Sequence, residues 1–141
     1  MNGLGKHLLV ELMGCDSKIL NDRKVIRNFL VKAAQAAGAT PVKDIFHPFS
    51  PVGISGVVVI AESHLSIHTW PEYGYAAVDV FTCGDKISPE IAANFLAEKL
   101  QAQHVSMMEV TRGIINISGH RIPHKIGESY DGKPQGFGMA L

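Results

Sequence analysis

A chain of 141 residues is long enough for one hydrophobic core and leaves little for a second, so a single domain is expected. Lysine plus arginine and aspartate plus glutamate balance at 13 each, which leaves no field to draw in nucleic acid or an anionic membrane as a partner. The amino-terminal Met1-Asn2-Gly3-Leu4-Gly5-Lys6-His7 lacks the basic-then-apolar order of a secretory signal, and no apolar run approaches membrane-spanning length; a soluble, cytoplasmic protein is expected, with Cys15 and Cys83 as free thiols.

In chain order, Lys6 to Met13 reads as a first strand, stopped by Gly14. Asn21 or Asp22 offers a cap to a helix whose Val25, Ile26, Phe29, Leu30, Ala33 and Ala37 form one apolar stripe, and Gly38 closes it. Thr40 to Phe49 predicts a second strand, which runs through the turn-rich Phe49-Ser50-Pro51-Val52-Gly53 into a third, Ile54 to Glu62. Gly74 to Cys83 predicts a fourth, followed by a Gly84-Asp85 turn. Ser88-Pro89-Glu90 starts a second helix: serine can cap, proline suits the first helical position, and glutamate suits the positive end of the dipole. Ile91, Phe95, Leu96 and Leu100 supply its apolar side, and Val105 to Val110 gives a fifth strand. Beyond Arg112 glycines and prolines break any periodicity, so residues 1–112 are expected to form the domain and 113–141 an irregular Gly-rich tail.

The order β-α-β-β-β-α-β predicts an α+β fold, a two-layer sandwich with an antiparallel or mixed sheet and both helices on one face. Val57 to Ile60 and Tyr75 to Phe81 are apolar on both sides of the pleat, yet two helices cover only one side. A homodimer with its sheets packed face to face would cover the other.

Reactive side chains crowd between Glu62 and Glu72, directly after the apolar run Val57-Val58-Val59-Ile60. A serine hydrolase would want Gly-x-Ser-x-Gly, and Gly53-Ile54-Ser55-Gly56-Val57 only grazes that pattern. A zinc site could use His64 and His68, which share one face of an extended strand, with His47, Cys15 or Cys83, but no Cys-x-x-Cys or His-Glu-x-x-His spacing supports it and no metal is expected. The third reading is a strand end whose hydroxyls and imidazoles satisfy backbone groups. The residue types alone leave these readings open.

A longer pattern is more specific. Glu62-Ser63-His64-Leu65-Ser66-Ile67-His68, then Pro71-Glu72-Tyr73-Gly74-Tyr75-Ala76, then Val78-Asp79-Val80-Phe81-Thr82-Cys83-Gly84-Asp85 resemble the small prokaryotic S-adenosylmethionine decarboxylase proenzymes, which mature by cutting themselves. Gly5-Lys6-His7 with Glu11-Leu12-x-Gly14-Cys15, and Phe46-His47-x-Phe49 leading to Gly53-Ile54-Ser55-Gly56-Val57, are similar to that family in order and spacing. The resemblance runs from about Gly5 to about Arg112 and stops short of the Gly-rich tail.

The resemblance implies that Ser63 attacks the carbonyl of Glu62, that Ser55 supports the oxyanion, and that His68 is the processing base; an imidazole ordinarily titrates near neutrality. Residue 63 would become a pyruvoyl group, leaving a β chain of 1–62 and an α chain of 63–141. That cofactor would take the substrate's α-amine as a Schiff base and accept the electrons released with carbon dioxide, with Cys83 as the proton donor. Phe49 and Trp70 are candidates for the sulfonium and adenine, Glu72 for polar atoms of adenine or ribose, and Cys15 is structural. The implied activity is decarboxylation of S-adenosyl-L-methionine to the aminopropyl donor for spermidine synthesis. The alternatives are an arginine decarboxylase on the same scaffold and an uncleaved homologue that binds a partner.

Overall fold

The structure, a computed structural model, describes residues 3–115. The expected tail lies outside the described residues from 116 onward. The elements in order are β1 (Gly5–Met13), α1 (Ser17–Leu20), α2 (Arg23–Ala36), β2 (Pro41–Pro48), β3 (Ile54–Ile60), β4 (Ser63–Trp70), β5 (Tyr75–Cys83), α3 (Pro89–Lys99) and β6 (His104–Arg112), with a 3-10 turn at Pro71–Tyr73. The strands form one sheet in the order β2-β3-β4-β5-β1-β6, and every neighbouring pair is antiparallel.

Among the described residues the sheet therefore has six strands where five were expected. Ser63–Trp70 is a strand in its own right, and the third strand stops at Ile60 instead of Glu62, turning back through Ala61 and Glu62. Leu65 and Ile67 are buried while the histidines and Ser66 between them face the other way, which is the alternation of a half-buried strand. Its polar positions made it read as the end of the preceding strand.

One face of the sheet carries the core. Leu8, Val10 and Leu12 of β1, Ile54, Val58 and Ile60 of β3, Leu65 and Ile67 of β4, and Ala76, Val78 and Val80 of β5 are all buried, and the helices pack on that side. Asp22 caps α2 by accepting from the Lys24 and Val25 amides, while the other cap candidate, Asn21, accepts from the Gly53 amide and ties the 49–53 loop to the helix start. The α2 face that goes inward is Ile26, Leu30, Ala33 and Ala34. Helix α1 was not foreseen; it is one turn long, and the Asp16 carboxylate caps it. For α3, Leu96 and Leu100 are buried and Phe95 packs against the core as expected, Ala92 and Ala93 are buried beside them, and of the expected residues Ile91 alone is exposed. Ser88 occupies its N-cap, but its hydroxyl donates to Glu90 Oε2 instead of accepting from the backbone.

Two details set the position of β4. Thr69 is buried, and its hydroxyl donates to the Leu20 carbonyl at 2.8 Å while accepting from the Ile54 amide at 2.9 Å, so α1, β3 and β4 are tied at one point. The Phe46 ring of β2 lies over Gly56 of β3, where a Cβ would collide with it. Among the described residues, no helix is long and apolar enough to cross a membrane.

Candidate active site

Among the described residues nothing covers the face of the sheet turned away from the helices, and the chemistry-bearing residues lie on it or at its ends. They fall into two groups at opposite ends of β4.

The first group is at the tip of the β3–β4 hairpin. Ile60 pairs with Ser63, so Ala61 and Glu62 form a two-residue turn, and Glu62 holds φ +86°. Ser63 opens β4 and Cys83 ends β5, and their Oγ and Sγ atoms lie 3.5 Å apart. Across from Cys83 stands Gly5, where a Cβ would sit 2.6 Å from the Thr82 carbonyl oxygen and 3.1 Å from Cys83 Sγ; only glycine lets β1 run so close. Beside this pair, the His7, His64 and Phe81 rings meet, with the Arg112 guanidinium 4.9 Å from the Phe81 centroid. Burial, the His7 charge and Arg112 hold the His64 imidazole below its ordinary pKa, with Asp79 acting the other way.

The second group is at the far end. Ser55 Oγ and His68 Nδ1 are 2.7 Å apart across the β3–β4 ladder. Trp70 stacks on Tyr75 with centroids 5.2 Å apart, and His47 meets Phe49 edge-on. Burial, then the hydrogen bond and charge of Glu11, push the Tyr75 hydroxyl up to about 12. Phe49 and Trp70 are well exposed, and Glu72 is exposed in the 3-10 turn.

The structure thus brings Ser63 to Cys83 and Ser55 to His68, but it does not bring the two pairs together. Five residue steps of extended strand separate Ser63 from His68, about 16 Å along β4. Cys15 belongs to neither group. It is buried in the core, and burial pushes its thiol up to about 11, so it stays a protonated packing residue. Among the described residues no group of three or more His, Cys, Asp or Glu side chains is arranged to hold a metal ion.

Sequence reasoning did not select His7, Asp79, Phe81, Arg112, Glu11 or Tyr75 as site neighbours. The period of two along β5 places Tyr75, Asp79 and Phe81 on the face of Cys83 and was available as a signal. His7, Glu11 and Arg112 arrive only through strand pairing, which the local sequence does not reveal.

Comparison with known proteins bears on this arrangement. The family model described as S-adenosylmethionine decarboxylase matches residues 6–113. The S-adenosylmethionine decarboxylase proenzyme of Thermodesulfovibrio yellowstonii is 56% identical over 126 residues, covering 89% of this chain and 93% of the relative. That of Acetivibrio thermocellus is 57% identical over 114 residues, covering 81% and 92%. The crystal structure of the adenosylmethionine decarboxylase from Aquifex aeolicus VF5 aligns with a TM-score of 0.77 at 36% identity, over 84% of this chain and 98% of that one. With the matched region spanning all six strands and both groups of site residues, the chain belongs to the S-adenosylmethionine decarboxylase family.

Proposed function

We propose that this member of the family decarboxylates S-adenosyl-L-methionine, after self-cleavage at Glu62-Ser63, in a site built from the Ser63–Cys83 end of one subunit and the Ser55–His68 end of a second copy. The observation that carries the assignment is the 3.5 Å contact of Ser63 with Cys83 at the hairpin tip.

In processing, Ser63 Oγ bonds to the Glu62 carbonyl carbon and the C–N bond breaks, so the peptide becomes an ester and residue 63 is left with a free amine. A base removes the Cα proton of residue 63 and the ester C–O bond breaks, releasing the Glu62 carboxylate. Water then replaces the nitrogen and ammonia leaves, giving a pyruvoyl group on residue 63 and chains of 1–62 and 63–141. Residue 63 fits that group, since it opens β4 with a thiol beside it. The pyruvoyl ketone supplies an electron sink for the substrate's α-carbon. Cys83 Sγ is placed to return a proton to that carbon after carbon dioxide leaves.

His68 is the base, and for that task its Nδ1–H donates to Ser55 Oγ, which leaves the Nε2 lone pair to take the proton. At about 16 Å along the strand it does not reach Ser63 of its own protomer. A twofold axis lying between two stacked sheets and crossing β4 between Leu65 and Ser66 exchanges the two ends of that strand. It sets His68 of the partner subunit over Ser63, twice by symmetry. The open face suits such a sandwich, because Leu9, Val59, Met108 and Val110 are all more than a third exposed on it in the single chain.

Phe49, Trp70 and Glu72 accompany His68. Trp70, backed by Tyr75, and Phe49 offer aromatic faces to adenine and the sulfonium, and Glu72 offers carboxylate oxygens to the ribose hydroxyls. The product is the aminopropyl donor for spermidine synthesis. Catalysis belongs to residues 1–112 in this reading, and a cytoplasmic setting goes with two free thiols.

Denaturing mass spectrometry of purified protein, with carbon dioxide release assayed on two substrates, tests the reading. Two fragments meeting at 62/63, a single chain from Ser63→Ala, and release from S-adenosylmethionine are expected. A wild-type chain that stays whole, or release from arginine alone, contradicts it.

A further inference from the structure

Glu62 stands out among the turns. The glycines at 14, 38, 53, 74, 84 and 113 each carry a positive φ, where the absence of a Cβ removes the steric cost. Among the described residues two non-glycines do so, Gln101 at φ +58° and Glu62 at φ +86°. Gln101 follows α3 and lies within the small left-handed well that side chains tolerate at some cost; Glu62 lies outside it. The turn is not loose. The Ile60–Ser63 pair closes it, and the Ala61 amide donates to the Thr40 carbonyl at 3.0 Å, so the ladder on one side and the start of β2 on the other hold Glu62 in place. A residue with φ above zero at the second turn position is where glycine or asparagine ordinarily stands. Here a glutamate stands there instead, directly before the bond to Ser63.

We infer that the backbone of Glu62, loaded by its own Cβ, is the positioning device for self-cleavage. The inference rests on the reading that the chain cuts between Glu62 and Ser63. A left-handed conformation imposed on a residue with a Cβ raises the energy of the uncut chain and relaxes only when the 62–63 bond opens and φ is free to return below zero. Attack by Ser63 Oγ on the Glu62 carbonyl starts that release, so part of the stored strain lowers the barrier. The rest is lost after the cut, when residue 62 no longer follows the turn, and this disfavours rejoining of the ends.

The test is the rate of cleavage of freshly refolded full-length protein, followed by denaturing mass spectrometry, for wild type and for Glu62→Ala, Glu62→Gln, Glu62→Asn and Glu62→Gly. Alanine and glutamine keep the Cβ and are expected to cleave alike, with glycine about fivefold slower than alanine and asparagine between them. Melting of the same substitutions in a Ser63→Ala background, which does not cleave, separates strain from slackness. Strain predicts that Glu62→Gly melts above Glu62→Ala, and slackness predicts the reverse. If wild type splits while Glu62→Gly keeps pace with Glu62→Ala, or if Glu62→Gly melts lower, the inference is overturned and the processing reading stands. If wild type does not split, both fall.

Discussion

The thiol of Cys83 touches Ser63, and in the proposed reading it has a task only after the cut, so the two reactions are separable at one side chain. Cys83→Ala is expected to cleave to 1–62 and 63–141 as wild type does, yet to lose decarboxylation by roughly 100-fold or more, the usual weight of a positioned proton donor; parallel mass spectrometry and carbon dioxide assays check this, and loss of cleavage contradicts it. His64 gives a pH dependence of known sign. Burial, His7 and Arg112 depress its folded pKa against Asp79, so protonation is harder in the folded protein than in the unfolded chain. Stability from this group is full above the ordinary imidazole pKa and is lost as pH falls below it. Melting temperature should fall between about pH 7.5 and about pH 5.5, and His64→Gln should flatten that fall; an unchanged slope contradicts the assignment. At this scale the sequence proposes residues and is silent about distance. Ser63, His68 and Cys83 stand in a pattern long enough to single them out, but five positions along the chain mean about 16 Å only once Ser63–Trp70 is a straight strand.

That strand was the element hardest to read. Leu65 and Ile67 are its only inward aliphatics, and Ser63, His64, Ser66 and His68 around them look like the reactive end of the preceding strand until the pairing with β3 and β5 is seen. The long helix α2 and strands β1 and β5 were legible from apolar period and glycine stops, because their signals are local. The cap of α3 was legible in position and not in bonding, since the Ser88 hydroxyl chose Glu90 over the backbone. Where β2 meets β3, Gly56 exists for the Phe46 ring. Gly56→Ala should destabilise the fold by about 1–3 kcal/mol, measured by denaturant unfolding, because a methyl group there must displace the ring. A variant as stable as wild type would mean that Phe46 is free to swing away.

For the whole molecule, the division of the sheet into a covered and an open face organises the rest. Helices close one side with aliphatic residues, and the other side carries His7, Leu9, His64, His68, Asp79 and Met108 in rows fixed by the antiparallel register. The uncovered face was inferable from apolar residues on both sides of the pleat. Which ends of β4 meet in the proposed dimer was not, because that depends on a symmetry operation instead of on any local pattern. Co-expression of a Ser63→Ala chain with a His68→Ala chain, each carrying a different tag, tests the shared site most directly. Neither variant alone should cleave, but in the mixed dimer the Ser63→Ala chain supplies His68 to the other's intact Ser63. Mass spectrometry should therefore find the His68→Ala chain, and only that chain, cut between Glu62 and Ser63. A His68→Ala chain that stays whole in isolated mixed dimers, or that cuts itself without its partner, would contradict a site shared between two subunits.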